Sequence, residues 1–429
     1  MARDRSTSLE GLLHSARKHR SMTVIVVISV VAVLGLTLGL GLGLGLQDND
    51  DASGRVSARD TLIPNITDIL SRVPLIDGHN DLADKFRNLT DNKVWGKNLK
   101  TGWEDVQTDI PRLRKGMVGA QFWAIYVSCK SQYKDAVTLS LDQTDVIKKF
   151  VSMYPDDFEF VTASEGIMDA FNKGKIGSMM GLEGGHSIDS SLGNLRMFYE
   201  LGVRYMTLTH TCNTPWAGNS HMDDPENKPE GSDGLTEFGK IVVKEMNRLG
   251  MMVDLSHVSH KTMLDALSVT QAPVMFSHSS VYSLCNHSRN VRDDVLDKLK
   301  ENNGIIMINF YPNFVSCSDN STIKDVVEHI NYVKRRIGTK YIGIGGDFDG
   351  VDIVTQGLED VSKYPDLFEA LVKSNETWSP EDIENLAGKN LIRVFKEVEK
   401  VKQDLINQPP SEDLIPEETW RKNDCRTEF

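Results

Sequence analysis

Between residues 70 and 400 the apolar positions gather into eight short runs: 73–77, 120–127, 176–182, 203–208, 251–255, 273–276, 305–309 and 341–345. Each is four to eight residues long and bounded by polar or glycine-containing stretches, the pattern of buried strands. The stretches between them carry apolar residues at i, i+3 and i+4, as in 235–247 and 326–337, the spacing of a helix with one buried face. Strand and helix alternating eight times over about 330 residues predict a single (β/α)8 TIM-type barrel of the α/β class, with loop insertions. A doubly wound open sheet is the alternative architecture.

One apolar run is longer than the rest. Residues 23–46 contain no charge, and as a helix they extend roughly 36 Å, enough to cross a hydrocarbon core of about 30 Å. Residues 1–22 carry a net +3, and Asp48, Asp50 and Asp51 follow the run, so the positive-inside rule puts the N-terminus in the cytosol and the remainder outside. A cleaved signal peptide competes with this reading, but its apolar region is usually shorter. The Leu-Gly alternation from Leu38 to Leu46 weakens helix propensity, which a bilayer tolerates better than water. The expected organisation is therefore a cytosolic segment (1–22), a transmembrane signal-anchor helix (23–46) and a polar stalk (47–60). A barrel domain (61–402) and an irregular tail (403–429) packed on or near it follow. This describes a single-pass plasma-membrane protein with its main domain outside the cell. Residues 421–429 are charged and carry no lipid-anchor signal.

Composition narrows the function without naming it. Of 429 residues, 40% are apolar and 25% charged, ordinary globular usage. The net charge of −13 argues against electrostatic nucleic-acid binding. Asn65, Asn88, Asn286, Asn320 and Asn375 each open an Asn-x-Ser/Thr triplet, which matters only in a secreted chain and fits the exterior assignment of a glycoprotein. Outside the cell, disulfides are also the default for Cys129, Cys212, Cys285, Cys317 and Cys425.

The chemistry lies where the runs end. The first leads into His79 and Asp81, the third into Glu183, the fourth into His210, the fifth into His257, the sixth into His278 and the eighth into Asp347. In a barrel these strand ends open on one face, so residues far apart in sequence converge. His79-x-Asp81 at an extended strand end points an imidazole and a carboxylate the same way. Singly, each group has an ordinary reading: a core histidine, a loop carboxylate, or an aspartate turn with Asp349 as a rival for the role of Asp347. Among them are three imidazoles, one aspartate and one glutamate able to bridge, a set that is enough for two zinc ions, with manganese or cobalt as alternatives. His14, His19, His186, His221, His260, His287 and His329 are read as surface or loop histidines. Arg289 is either a carboxylate-binding fork or a surface partner of Asp293 or Asp294.

Six segments carry a resemblance: Leu75-Ile-Asp-Gly-His-Asn-Asp-Leu82, Gly181-Leu-Glu-Gly-Gly-His186, Leu208-Thr-His-Thr-Cys-Asn-Thr-Pro-Trp216, Phe276-Ser-His-Ser-Ser280, Ser288-Arg-Asn290 and Gly345-Gly-Asp-Phe-Asp-Gly350. They resemble the membrane (renal-type) dipeptidases, zinc peptidases of the metal-dependent amidohydrolase superfamily. The resemblance covers roughly residues 65–425 and implies a barrel with a binuclear zinc centre. In that centre His79, Asp81 and Glu183 hold one ion, and Glu183 bridges to a second ion on His257 and His278. It further implies His210 and Arg289 as substrate contacts, and Asp347 as the group that moves the proton. Disulfides Cys129–Cys212 and Cys285–Cys317 follow from it, leaving Cys425 to link two chains as a homodimer. Two departures stand out: relatives are held by a C-terminal glycolipid rather than an N-terminal helix, and Phe314 lies where relatives carry Tyr.

The expected activity is extracellular hydrolysis of dipeptides by a hydroxide shared between two zinc ions, with His210 stabilising the charge that develops on the carbonyl oxygen. A lactam, cyclic amide or N-acyl amino acid as substrate is one alternative. A catalytically silent cell-surface binding protein is the other.

Overall fold

The computed structural model describes residues 64–416, apart from 225 and 227–229. The run 23–46, the stalk, His14, His19 and Cys425 lie outside the described residues. Among the described residues no helix is long and apolar enough to cross a membrane.

Nine strands form one all-parallel sheet: β1 Leu75–Asn80, β2 Val118–Tyr126, β3 Phe158–Phe160, β4 Ile176–Glu183, β5 Val203–Thr207, β6 Met252–Asp254, β7 Met275–Ser279, β8 Ile305–Ile308 and β9 Ile342–Ile344. Eight of them make the ring β1-β2-β4-β5-β6-β7-β8-β9, closed where Asp77 of β1 pairs with Ile344 of β9. Each ring strand corresponds to one of the eight apolar runs. The strand outside the ring, β3, is one that the apolar pattern does not mark. Its three residues, Phe-Glu-Phe, are too short to form a run, and they pair only with Ile176–Ser178 at the start of β4. Because helices cover the ring from outside, β4 and β8 are buried at every position.

The two stretches with helical spacing form the helices Glu237–Leu249 and Ile323–Ile337. The first starts where the Thr236 side chain accepts from Gly239 N, and stops at Gly250 in a left-handed conformation (φ 81°). Inside the ring, Ile76, Phe122, Met179, Tyr205, Met252, Met275, Ile305 and Met307 form a second apolar core with Leu391, Val394, Phe395 and Val398 of the helix Asn390–Asp404. Met252, Met275 and Ile305 are the first residues of their strands. This helix therefore stoppers the N-terminal end of the barrel and leaves the C-terminal end open. Beyond it the described residues, to 416, are irregular, and Ser411 is held on the helical layer: its N–H donates to Glu245 (3.3 Å) and its carbonyl accepts from Arg196 (3.1 Å).

Two disulfides brace the open end. Cys129–Cys212 joins the segment after β2 to the segment after β5, and Cys285–Cys317 joins those after β7 and β8.

Phe395 is fully buried in the stopper. Phe395→Ala is expected to destabilise the domain by about 3–5 kcal/mol through lost transfer energy and an unfilled cavity. Denaturant unfolding monitored by circular dichroism checks this; an unchanged midpoint would show that the stopper carries no such load.

Candidate metal centre

The groups singled out at the ends of the runs meet at the open end of the barrel. His79 comes from the end of β1. Asp81 follows it, but not on the strand: it is the N-cap of the helix Leu82–Thr90, so helix entry rather than strand pleat aims it at His79. Glu183 ends β4, His278 lies in β7, and His257, His210 and Asp347 sit on loops just past β6, β5 and β9. His257 and Asp347 have positive φ (66° and 63°), as does Asp349 (68°). Non-glycine residues pay strain there, of the kind that concentrates at functional sites.

The distances describe donors around common centres. His79 Nε2 lies 3.2 Å from Asp81 Oδ2 and 3.4 Å from Glu183 Oε1. On the other side, His257 Nε2 and His278 Nε2 lie 3.1 and 3.5 Å from the same Glu183 oxygen and 2.8 Å from each other. Two donors on one tetrahedral zinc with bonds of ~2.0–2.1 Å stand ~3.3 Å apart. Yet His79 Nε2 is buried with no hydrogen-bond partner. An orphaned ring nitrogen flanked by carboxylates, and two imidazole nitrogens facing each other, fit a divalent cation and not a hydrogen-bonded core. His79, Asp81 and Glu183 form one possible donor set, Glu183, His257 and His278 another, and His79, His278 and Asp347 a third. Cys129, His186 and Cys212 also cluster, but both sulfurs are spent in the disulfide.

Electrostatics agree. Burial pushes the His257 and His278 imidazoles well below their ordinary value, with the Arg289 charge adding to the effect, so both are neutral donors. Burial alone would raise Glu183, but His79, His210 and the hydrogen bond to His257 outweigh it and keep the carboxylate ionised. Burial would lower His79, but Tyr205, Glu183 and Asp81 outweigh it and hold this ring well above the usual value. The cluster calls for positive charge among its carboxylates. Burial, reinforced by Asp81 and Glu183, lifts Asp347 to about 7, and Asn309 Nδ2 donates to its Oδ2 at 2.8 Å. Its Oδ1 stands 3.9 Å from His79 Nε2.

Above the cluster opens a cavity of about 390 Å³, within the range of small-molecule sites. His210 lines it, stacked between Tyr126 and His257 (ring centroids 4.8 and 4.3 Å), and burial lowers its imidazole to about 4. Arg289 also lines it. This side chain is 4% exposed, lies over Phe314 at 5.0 Å, donates through Nη2 to His278 O, and has no partner at Nε or Nη1. It does not pair with Asp293 or Asp294, which bind Arg336 and His260 instead.

Not every reading of single residues survives. Asp349 is tied to the loop before the helix Ile110–Lys115: its Oδ1 accepts from Gln107 N at 2.7 Å. Its Oδ2 has no hydrogen-bond partner and Asp349 lines the same cavity, but among the described residues a donor set includes Asp347 and none includes Asp349. His186 and His329 are neither surface nor loop-exposed. They are 3% and 1% exposed, and their Nε2 atoms are satisfied by the carbonyls of Val127 and Val315, because an isolated histidine in an apolar stretch more often closes a backbone gap. His260 pairs with Asp294, His221 with Asp224, and His287 stacks on Phe314. Asp84, Tyr311 and Asp352 line the cavity although nothing in the apolar pattern marked them, and so does Tyr126, which lies within the second run but was not singled out. Asp84 sits on the helix Leu82–Thr90, Tyr126 ends β2, and Tyr311 and Asp352 lie on loops. Asn309 was legible as the polar end of the seventh run.

A family model for membrane dipeptidases (peptidase family M19) matches residues 63–409. The chain belongs to this family. It is 44% identical to Dipeptidase 3 of Mus musculus over 354 residues, 82% of this chain and 70% of that one. Its fold matches a metallo peptidase from Rhodobacter sphaeroides liganded with a phosphinate mimic of the dipeptide L-Ala-D-Ala (TM-score 0.68, 24% identity, 76% of this chain and 99% of that one). It also matches the probable dipeptidase PvdM from Pseudomonas aeruginosa (TM-score 0.70, 19% identity, 78% and 98%). Membership makes this chain a metallopeptidase of the dipeptidase class, with donors for its metal in the barrel mouth.

Metal that binds the native donor cluster and not the unfolded chain stabilises the fold by mass action, ~2.7 kcal/mol at a hundredfold excess over Kd. Chelation is therefore expected to lower the thermal midpoint and re-addition of zinc to restore it. Glu183→Ala, which removes the shared oxygen, should abolish that zinc-dependent shift. A shift of unchanged size in Glu183→Ala would place the metal elsewhere.

Proposed function

We propose that this chain is a zinc-dependent dipeptidase that holds two Zn2+ ions, His79 and Asp81 on one, His257 and His278 on the other, with Glu183 shared. The observation that carries the reading is Glu183 Oε1, 3.1–3.5 Å from imidazole nitrogens of both donor sets, beneath a cavity that a buried, half-unpartnered Arg289 also lines. Neutral imidazoles and carboxylates suit zinc.

When bound, the ions supply an acidified water and a Lewis acid for the scissile carbonyl. The protein supplies the rest. Asp347, poised near neutrality and oriented by Asn309, takes the proton from the attacking water and returns it to the departing amine. His210 is neutral. Thr211 Oγ1, 3.1 Å from its Nδ1, can donate there and leave the hydrogen on Nε2, which then stabilises the carbonyl oxygen as charge develops. The free Nε–H and Nη1–H of Arg289 take the substrate's C-terminal carboxylate, and burial lowers its guanidinium only to about 10, so it stays charged. Asp84, on the same cavity wall, draws the substrate's free amine toward the acidic side. Anchors for both termini limit the substrate to two residues, and the apolar face of Phe314 sets part of the side-chain preference.

The reading extends to location: residues 23–46 hold the chain in the plasma membrane with the barrel outside the cell. Support comes from the charge asymmetry around that run, from two formed disulfides, and from the exposure of Asn65, Asn88, Asn286, Asn320 and Asn375. In this reading those asparagines carry glycans, and Cys425 joins two chains as a homodimer.

Asp347→Asn is expected to keep zinc and lose ~10²–10⁴ in kcat on simple dipeptides. In the parent, kcat/KM should rise with pH as Asp347 ionises, with an inflection at or below about 7 because neighbouring cations favour the carboxylate. Full turnover by the Asn variant would remove Asp347 from the mechanism. A second measurement addresses recognition. Arg289→Ala should cut kcat/KM about a hundredfold (~3 kcal/mol) on dipeptides with a free carboxylate and leave C-terminally amidated dipeptides unaffected. An equal loss on both substrates would assign Arg289 to the fold instead.

A further inference from the structure

Two of the cluster's imidazoles have their second ring nitrogen engaged, and in each case the hydrogen can be assigned by counting protons. Asp254, fully buried at the end of β6, accepts four hydrogen bonds. Its Oδ1 takes Ser256 N (3.1 Å) and Ser277 N (2.8 Å), and its Oδ2 takes Thr207 Oγ1 and Ser277 Oγ (both 2.6 Å). Ser277 Oγ is also 2.8 Å from His278 Nδ1. A hydroxyl has one proton, and a carboxylate with this many donors around it only accepts. The other acceptor within reach of that proton, Ser256 Oγ, is 3.5 Å away and is the poorer choice. The Ser277 proton therefore goes to Asp254, and the Ser277 oxygen is left to accept from His278 Nδ1–H.

His79 repeats the logic with different residues. Tyr205 OH lies 2.9 Å from His79 Nδ1 and 3.2 Å from Gly78 O. A carbonyl only accepts, so the phenol proton goes to Gly78 and the phenol oxygen accepts from His79 Nδ1–H. In each ring, once neutral as a metal ligand must be, Nε2 is left with its lone pair facing the centre. His257 has no such arrangement, since its buried Nδ1 meets no protein partner.

We propose that Ser277, backed by Asp254, and Tyr205 are positioning residues that fix the tautomers of His278 and His79, each governing the affinity of one metal ion. The proposal rests on the two-ion reading above. Its physical content is that an imidazole presenting N–H toward a cation must first shift its hydrogen, and that a ring without its outer partner is free to rotate.

The test is zinc titration of chelator-treated full chain, read by competition with a chromophoric chelator, beside Ser277→Ala, Ser277→Thr and Tyr205→Phe. The apo-protein thermal midpoint is measured for each. Ser277→Ala should weaken one binding step about 10–100-fold and leave the other alone. Ser277→Thr, which keeps the hydroxyl, should retain parental affinity. Tyr205→Phe should weaken the opposite step by a similar factor, and it carries the test independently should Ser277→Ala fail to fold. Cobalt substitution gives a second readout, with the d–d spectrum of one site altered in each variant. Parental affinity in both Ser277→Ala and Tyr205→Phe would overturn the proposal, as would equal weakening of both steps with a matching loss of apo stability. If the parent itself bound no zinc, the two-ion reading would fail first, and that result is visible before any variant is compared.

Discussion

The organising constraint is a concentration of buried carboxylates. Asp81, Glu183 and Asp347 are 4%, 3% and 9% exposed and converge on one imidazole, His79. Burying an ionised group costs several kcal/mol unless opposite charge or directed hydrogen bonds compensate it. Neutral His257 and His278 offer lone pairs or single N–H groups, not charge. The positive charge of Arg289 stands on the cavity wall, engaged with the His278 carbonyl and an aromatic face. The cluster's own cationic charge at its middle is the proton that these carboxylates hold on His79, and a divalent ion would replace it where the donor spacing already matches.

Holding such groups in place against their mutual repulsion requires a stiff frame. The closed ring provides it from below. Fully buried parallel strands, stoppered by Leu391, Val394, Phe395 and Val398, leave little room for the strand ends to move apart. The strained backbones of His257 and Asp347, each costing on the order of 1–3 kcal/mol, persist because their neighbours over-determine them. For His257 these neighbours are visible: Ser220 N and Thr209 Oγ1 both donate to its carbonyl. Asp77 does the same for the first and last strands. Its buried carboxylate accepts from His79 N, Gly346 N and the Tyr364 hydroxyl, tying the end of β1 to the loop that carries Asp347.

How much of this was legible in the sequence follows from the range of each signal. The barrel was readable because a strand buried on both faces gives a short apolar run, and each of the eight ring strands overlaps one. β3 was not, since three residues on an edge give periodicity no purchase. The donor cluster was readable because it sits at the ends of those runs, where topology alone fixes convergence. The partners that orient it were not: Ser277 and Asp254 look like ordinary polar residues inside strands, and Tyr205 looks like core. Their role appears only when a hydroxyl's single proton can be traced between named atoms. Likewise His186 and His329 carried no mark of burial, because what satisfies them is a backbone carbonyl contributed by another element.

The part of the cavity wall that carries Arg289 shows how a fold keeps a charged side chain dry and underused. Arg289 sits on the loop after β7, and Phe314 beneath it sits on the helix Pro312–Val315 after β8. Loops this long would ordinarily shift independently. Here three ties bind them: the Cys285–Cys317 disulfide, the Asn290 amide donating to Cys285 O and Phe314 O, and His329, which accepts from Val281 N through Nδ1 and donates to Val315 O through Nε2. None of these touches the guanidinium. They fix the separation between its aromatic support and its backbone acceptor, and so hold Nε–H and Nη1–H toward the cavity without satisfying them. Unsatisfied buried donors are costly to maintain and are removed readily by small rearrangements, so a structure that invests a disulfide, an amide and an imidazole in preventing that rearrangement is built to offer those donors to something else.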